Sequence, residues 1–178
     1  YGQSEIAPLA TVLSPEEHAI QPASAGRPVL SVETRVVDDQ MQDMPLGEMG
    51  EIVHRSPQTM IGYWDKPEQT EEAFEGGWFH SGDMGYFDQD GFLFVVDRVK
   101  DIINTGGVVV SSREVEECLF THPAVSEVAV IALPDERWIE AVTAVVCLKD
   151  GCSASEEELI TYTKECMAQF EVPKSVHF

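Results

Sequence analysis

At 178 residues, 43% hydrophobic and 24% charged, the chain is long enough to bury a core and has the composition of one or two ordinary globular domains. Its net charge of −21, with eleven Lys and Arg spread along the sequence, argues against a nucleic-acid or anionic-membrane surface, since both demand grouped cations. The four cysteines form no Cys-x-x-Cys pair and have no histidine at metal spacing, which argues against a zinc or disulfide scaffold and fits a reducing cytoplasm; no apolar run approaches the ~20 residues of a membrane span.

Tyr1-Gly2-Gln3-Ser4-Glu5 opens the chain ahead of a loop, and Ser14-Pro15-Glu16-Glu17 predicts a helix start with a Ser-x-x-Glu cap. Because it begins at Tyr1 and not at Met, the chain reads as a piece of a longer protein. From Gly26 to Val96 the signals are β: a β-branched run from Val29 to Val37, a short strand over Gly50-Glu51-Ile52-Val53-His54, and an apolar strand over Gly91 to Val96 delivered by the turn Asp88-Gln89-Asp90-Gly91. Pro67 to Phe74, with proline early and acids in its first turn, predicts one small helix on this β region.

The composition changes over Asp97 to Asp101, beyond which strands and helices alternate. Ser111-Ser112-Arg113-Glu114 predicts a capped helix with Val115, Cys118 and Leu119 on one face, ending near Thr121-His122-Pro123. Val125 to Leu133 and Ala141 to Leu148 predict strands joined by a turn at Pro134 to Arg137. A last helix, from Ser153 or Ser155, is expected to bury Leu159, Thr163, Cys166, Met167 and Phe170, with a loop then leading into a strand before Phe178. The fold class is therefore α+β: a β-rich part over 1–98, and a small mobile α+β domain over 99–178 beyond a hinge.

Ser81-Gly82-Asp83 and Asp97-Arg98 lie at the two ends of one β unit. A carboxylate on a turn after glycine, as at Asp83, can grip two vicinal hydroxyls, and the planar fork of Arg98 can hold a ribose oxygen or a phosphate. With an aromatic face at Tyr1 and a carboxylate for Mg²⁺ at Glu5, these residues make a nucleotide site; the competing reading is a turn and a surface ion pair. Gly106-Gly107 is either a hairpin turn or a point of close backbone approach to a ligand. No Walker or Rossmann glycine pattern is present, and the five histidines have no acid, Cys or Ser partner at suggestive spacing.

The order of these motifs resembles the adenylate-forming enzymes: acyl-CoA synthetases, peptide-synthetase adenylation domains and luciferases. Tyr1-Gly2-Gln3-Ser4-Glu5 looks like the family's Tyr-Gly-x-Thr-Glu, Gly50-Glu51-Ile52 like its Gly-Glu-Leu/Ile strand, and Trp78 to Asp83 like its Trp-x-x-Thr-Gly-Asp. Asp97-Arg98-Val99-Lys100-Asp101 through Gly106-Gly107 to Glu114-Val115-Glu116 resembles its hinge motif.

The resemblance implies that Tyr1, with Gly2, lies against the adenine of ATP or AMP, that Ser4 meets the α-phosphate, that Glu5 holds Mg²⁺, and that Asp83 binds the ribose with Arg98 beside it. It makes Lys100 the hinge residue and Gly106-Gly107 the passage for the pantetheine arm of CoA. The implied activity is that of an acid–thiol ligase acting on a small carboxylic acid and CoA, most like the fatty-acyl branch. The family's Ser/Thr/Gly-rich phosphate loop would precede Tyr1 and its catalytic lysine would follow Phe178, Lys174 not being that residue, so this piece alone is expected to be inactive. Serine replaces the commoner threonine at Ser4 and Ser81, and Ile139 stands where many members have glycine. A peptide-synthetase adenylation domain and a non-catalytic nucleotide-binding module are the alternatives; Lys100 and Ile103 to Gly107 favour the CoA ligase over the former.

Overall fold

The computed structural model describes all 178 residues, Tyr1 to Phe178. The backbone divides into two compact units, Tyr1–Val99 and Lys100–Phe178.

The first unit is built on a four-stranded antiparallel meander, β3 (Glu33–Val37), β4 (Gly50–Arg55), β5 (Phe79–Phe87) and β6 (Leu93–Arg98), in that spatial order. Ahead of it come β1 (Thr11–Val12) and β2 (Arg27–Pro28), which pair with each other, and the short helix α1 (Pro15–His18). The Ser14 side chain caps α1 reciprocally with Glu17, as its Ser-x-x-Glu spacing predicts. Helix α2 (Pro67–Ala73) has its proline in the first turn, where the missing N–H costs nothing.

Alternation along the strands gives the sheet two apolar faces. On one, Ile52 and Leu93 pack with Val36, and Ile6, Ala10, Val32 and Phe79 form an adjoining cluster; the half-buried Tyr1 packs against both. On the other, Val37 and Val53 pack against Trp78, which is only 8% exposed. The guanidinium groups of Arg35 and Arg55 lie over the Trp78 ring, 5.0 and 4.3 Å from its centroid.

One feature of this sheet departs from the sequence reading. Ser81-Gly82-Asp83 forms no turn between elements; it lies inside β5 as a bulge. Glu51 pairs with Met84 and Val53 with His80, so the single residue Ile52 is faced by three, 81 to 83. Gly82 adopts φ +69°, which only glycine takes up without strain, and this lets the strand bulge and then continue.

The second unit carries β7 (Ile102–Thr105) and β8 (Val108–Ser111) as a hairpin, helix α3 (Ser112–Phe120), the long hairpin β9 (Val125–Asp135) and β10 (Ile139–Leu148), helix α4 (Glu156–Cys166) and β11 (Ser175–His177). Strand β10 pairs antiparallel with β9 along its length, parallel with β11, and at Ile139 with β7. Strands and helices thus do not simply alternate: two hairpins each precede a helix. Val115 and Leu119 of α3 and Leu159 of α4 are fully buried in a core with Ile103, Val110, Val125, Val142, Ala144 and Val146.

Ser111 and Ser155 cap α3 and α4 by accepting the N–H groups of Glu114 and Glu158. Helix α4 buries Leu159 and Thr163, but Cys166 and Phe170 are exposed and Met167 is half-buried. The backbone turns extended at Met167 (φ −132°, ψ 163°), so the residues beyond leave the helical face on which their spacing had put them.

Candidate functional site

The first unit brings together residues that are about eighty positions apart in the chain. The Tyr1 hydroxyl donates to Asp83 Oδ2 at 2.5 Å, and Gln3 Nε2 donates to the same oxygen at 2.8 Å and to the Ser81 carbonyl at 2.9 Å. Arg98, directly opposite Asp83 in the β5–β6 register, places Nε 3.0 Å from Asp83 Oδ1. Asp83 is buried, whereas the Arg98 side chain is 55% exposed and free to meet a ligand from solvent. Burial pushes the Tyr1 phenol well above its ordinary pKa, and the hydrogen bond to the Asp83 carboxylate adds to the shift.

The bulge is stitched by side chains. Ser81 Oγ donates to the Ile52 carbonyl at 2.5 Å and accepts the Asp83 N–H at 3.1 Å, while the Gly82 N–H donates to Glu51 Oε1 at 3.2 Å. A carboxylate oxygen has two lone pairs. Oδ2 of Asp83 is therefore fully used by Tyr1 and Gln3, and Oδ1 keeps one acceptor position beside Arg98. A vicinal diol at Asp83 would use that position and displace or share one of the donors on Oδ2.

Next to this grip is a cavity of about 330 Å³, lined by Gln3, Ser4, Glu5, Tyr63, His80 and Arg98 among others. Ser4 is exposed at the start of a short 3-10 turn, Ser4–Ile6. The Glu5 carboxylate accepts the Tyr63 hydroxyl at 3.1 Å; partial burial, and then Glu5 itself, raise the Tyr63 pKa. No group of three or more His, Cys, Asp and Glu side chains converges as a metal site. A single half-buried carboxylate at the cavity wall suits Mg²⁺, which keeps water and takes substrate phosphates in place of an all-protein cage.

Three residues of this arrangement carry no motif letter of their own. Gln3 and His80 hold variable places in their runs, and Tyr63 lies outside every motif singled out. In the fold His80 Nδ1 sits 2.8 Å from Glu51 Oε2, an acid supplied across β4 and β5 that linear spacing does not reveal.

Lys100 and Gly106-Gly107 belong to the second unit. Lys100 is exposed within the 3-10 turn Val99–Asp101. Gly106 and Gly107, at φ +64° and +85°, form the two-residue turn of the β7–β8 hairpin, the conformation that matches strand twist. The Gly106 N–H donates to the Trp138 carbonyl at 2.6 Å, and a Cβ there would meet the Trp138 ring at 3.5 Å; at Gly107 it would meet nothing within 4 Å. The paired glycines are thus a hairpin turn, with open space over Gly107.

Known proteins resemble this chain along its whole length. Residues 1–64 match the family described as AMP-binding enzyme, and residues 114–178 match the AMP-binding enzyme C-terminal domain. The chain is 43% identical to a feruloyl-CoA synthase of Amycolatopsis sp, over all of this chain and 36% of that protein. It is 40% identical to a long-chain-fatty-acid–CoA ligase of Escherichia coli O6:H1, over all of this chain and 31% of that one. The fold superimposes on o-succinylbenzoate CoA synthetase (MenE) from Bacillus subtilis, in complex with its acyl-adenylate intermediate OSB-AMP, with a TM-score of 0.89 at 36% identity, covering 99% of this chain and 36% of that structure. The chain spans about a third of the length of the curated relatives it matches. With both halves matched in order and the Tyr1–Glu5, Asp83 and Arg98 motifs converging in one unit, the chain belongs to the AMP-binding, adenylate-forming enzyme family.

Proposed function

We propose that the protein to which this chain belongs is an acid–CoA ligase that forms AMP and pyrophosphate. In the first step a substrate carboxylate attacks the α-phosphorus of ATP, giving an acyl-adenylate and releasing pyrophosphate. In the second, the CoA thiol attacks the acyl carbon and AMP leaves. The observation that carries this reading is the convergence of Tyr1, Gln3 and Arg98 on the buried Asp83 beside the Glu5 cavity.

In this reading Asp83 accepts the ribose hydroxyls and Arg98 stands beside it, with Tyr1 and Gly2 along the adenine and the exposed Ser4 hydroxyl toward the α-phosphate. Glu5 would hold Mg²⁺, which when bound neutralises phosphate charge. The units Tyr1–Val99 and Lys100–Phe178 are the large-domain end and the small domain, Lys100 is the pivot between the orientations of the two steps, and the turn at Gly107 lines the path of pantetheine. The four free cysteines fit a cytoplasmic setting.

For the acid we propose a fatty acyl chain, on the likeness of the run from Lys100 to Glu117 to that branch; the feruloyl and succinylbenzoate relatives name the competing aromatic acids. The deciding experiment uses the full-length protein, with ATP and CoA and a panel of long-chain fatty acids, hydroxycinnamic acids and succinylbenzoate. Carboxylate-dependent pyrophosphate exchange together with CoA-dependent AMP release is expected, fastest with a fatty acid. Turnover of an aromatic acid alone would overturn the acid assignment, and absence of AMP and ATP binding on titration would replace the ligase with a non-catalytic module.

A further inference from the structure

Glu51 has no task in the chemistry above, yet its carboxylate sits at the base of the bulge that presents Asp83. Its Oε1 accepts the Gly82 N–H at 3.2 Å and its Oε2 lies 2.8 Å from His80 Nδ1. The far nitrogen of the same ring, His80 Nε2, is 3.2 Å from the Glu75 carbonyl. Both side chains are sheltered, at 25% and 20% exposure. The nearby Ile52 carbonyl is taken by Ser81 Oγ at 2.5 Å, so Gly82 finds its acceptor in a side chain and not in the ladder. Strand alternation puts Glu51 on the face of β4 opposite to Ile52. The carboxylate therefore grips the bulge from behind while Tyr1 and Gln3 hold Asp83 in front.

We infer that Glu51 is a positioning residue for the nucleotide: by tying Gly82 and His80 to one carboxylate it fixes the three-residue bulge and so the aim of Asp83 and the His80 wall of the cavity. This rests on the nucleotide reading above. The bulge has one φ that glycine alone tolerates freely, and glycine also has the widest choice of other conformations. Without an acceptor for its N–H, Gly82 leaves a donor unpaired in the strand and nothing selects the bulged geometry over its alternatives.

The chemistry also separates substitutions. A neutral His80 can donate from only one ring nitrogen, and with Glu51 both nitrogens face acceptors. Glutamine at position 51 keeps an oxygen for Gly82 and offers an N–H to Nδ1, leaving Nε2–H for Glu75. Aspartate is one methylene short and cannot span Gly82 and His80 together.

The test is made on the full-length protein, by calorimetric titration with AMP, steady-state KM for ATP and for the acid, and thermal melting. Glu51→Ala is expected to weaken AMP about tenfold, the loss of one hydrogen bond to a charged group, and to raise the KM for ATP in step while leaving the KM for the acid unchanged. Glu51→Gln is expected to stay near the parent, and Glu51→Asp to fall between the two. If Glu51→Ala does not fold, the Gln and Asp variants decide: equal AMP affinity in both overturns the role. Parent-like AMP binding by Glu51→Ala also overturns it, with the nucleotide reading left standing. A parent protein that binds no AMP overturns both.

Discussion

At the scale of single residues, two side chains carry more energy than their motifs suggest. His54 is fully buried on β4, with Nδ1 3.0 Å from Thr34 Oγ1 and Nε2 without a partner. Burial holds the ring neutral and pushes its pKa from 6.5 down to about 4. The unfolded chain takes up a proton near pH 6.5 that the folded chain refuses until about pH 4. The contribution is thus complete above pH 6.5 and is lost as the pH falls toward 4, on the order of 3 kcal/mol across the window. Urea unfolding at intervals between pH 7 and 4 should show this limb, and His54→Asn should flatten it; an unchanged slope would assign the acid sensitivity elsewhere.

Ile139, the β-branched residue where many family members have glycine, sits at φ +70° and is 61% exposed. An L-residue there costs roughly 1–2 kcal/mol, and its exposure means little packing is lost on truncation. Ile139→Gly should therefore raise the melting temperature, and a lower one would show that the side chain contributes more than its strain costs. The sequence marks Ile139 as a departure, but only the backbone angle says what the departure means. Asp83 and Arg98 were likewise legible as residue types because their motifs are contiguous. The partnerships of Gln3, Glu51 and His80 were not, because the fold creates them across 29 to 80 positions, for Glu51 and His80 by the pairing of β4 with β5.

At the scale of elements, β5 holds two glycines with different jobs. A Cβ at Gly82 would touch nothing within 4 Å, so Gly82→Ala meets only the cost of its positive φ, about 1–2 kcal/mol. At Gly85 a Cβ would lie 2.3 Å from the Phe94 carbonyl and 2.8 Å from Ile52 Cδ1, a collision with the backbone of β6 and the core. Gly85→Ala is expected to cost more than Gly82→Ala, beyond the ~1–3 kcal/mol of ordinary overpacking, since main chain must move. Chemical unfolding of both variants ranks them, and the reverse order would mean that the strands part easily at Phe94.

Element types followed from local signals: the caps at Ser14, Ser111 and Ser155, the prolines opening α1 and α2, and the β-branched runs. The bulge did not, because Ser-Gly-Asp is also a good turn sequence and only pairing with Glu51 and Val53 keeps it within a strand. Nor did the end of α4, where helical spacing continues in the sequence past the point at which the chain becomes extended.

At the scale of the molecule, the units meet in sequence at Val99–Lys100, inside the charged run Asp97 to Asp101. On the proposed pivot, Lys100→Pro in the full-length protein should slow CoA-dependent AMP release more than pyrophosphate exchange, since a fixed φ and a missing N–H would oppose rotation at that bond. Two half-reactions running at parental rates would remove Lys100 from the pivot role.

Trp78, with Arg35 and Arg55 over its ring, and Trp138 give each unit its own optical reporter. Trp78 is buried in the first unit, Trp138 lies half-buried in the second, and Trp64 is 95% exposed. Replacing Trp64 by phenylalanine leaves one indole per unit, Trp78 in a dry, cation-flanked setting that emits toward the blue and Trp138 nearer water. The core clusters of the two units share no residue, so each emission band should report the unfolding of its own unit, and the fluorescence spectrum alone would follow each unit's melting without a label.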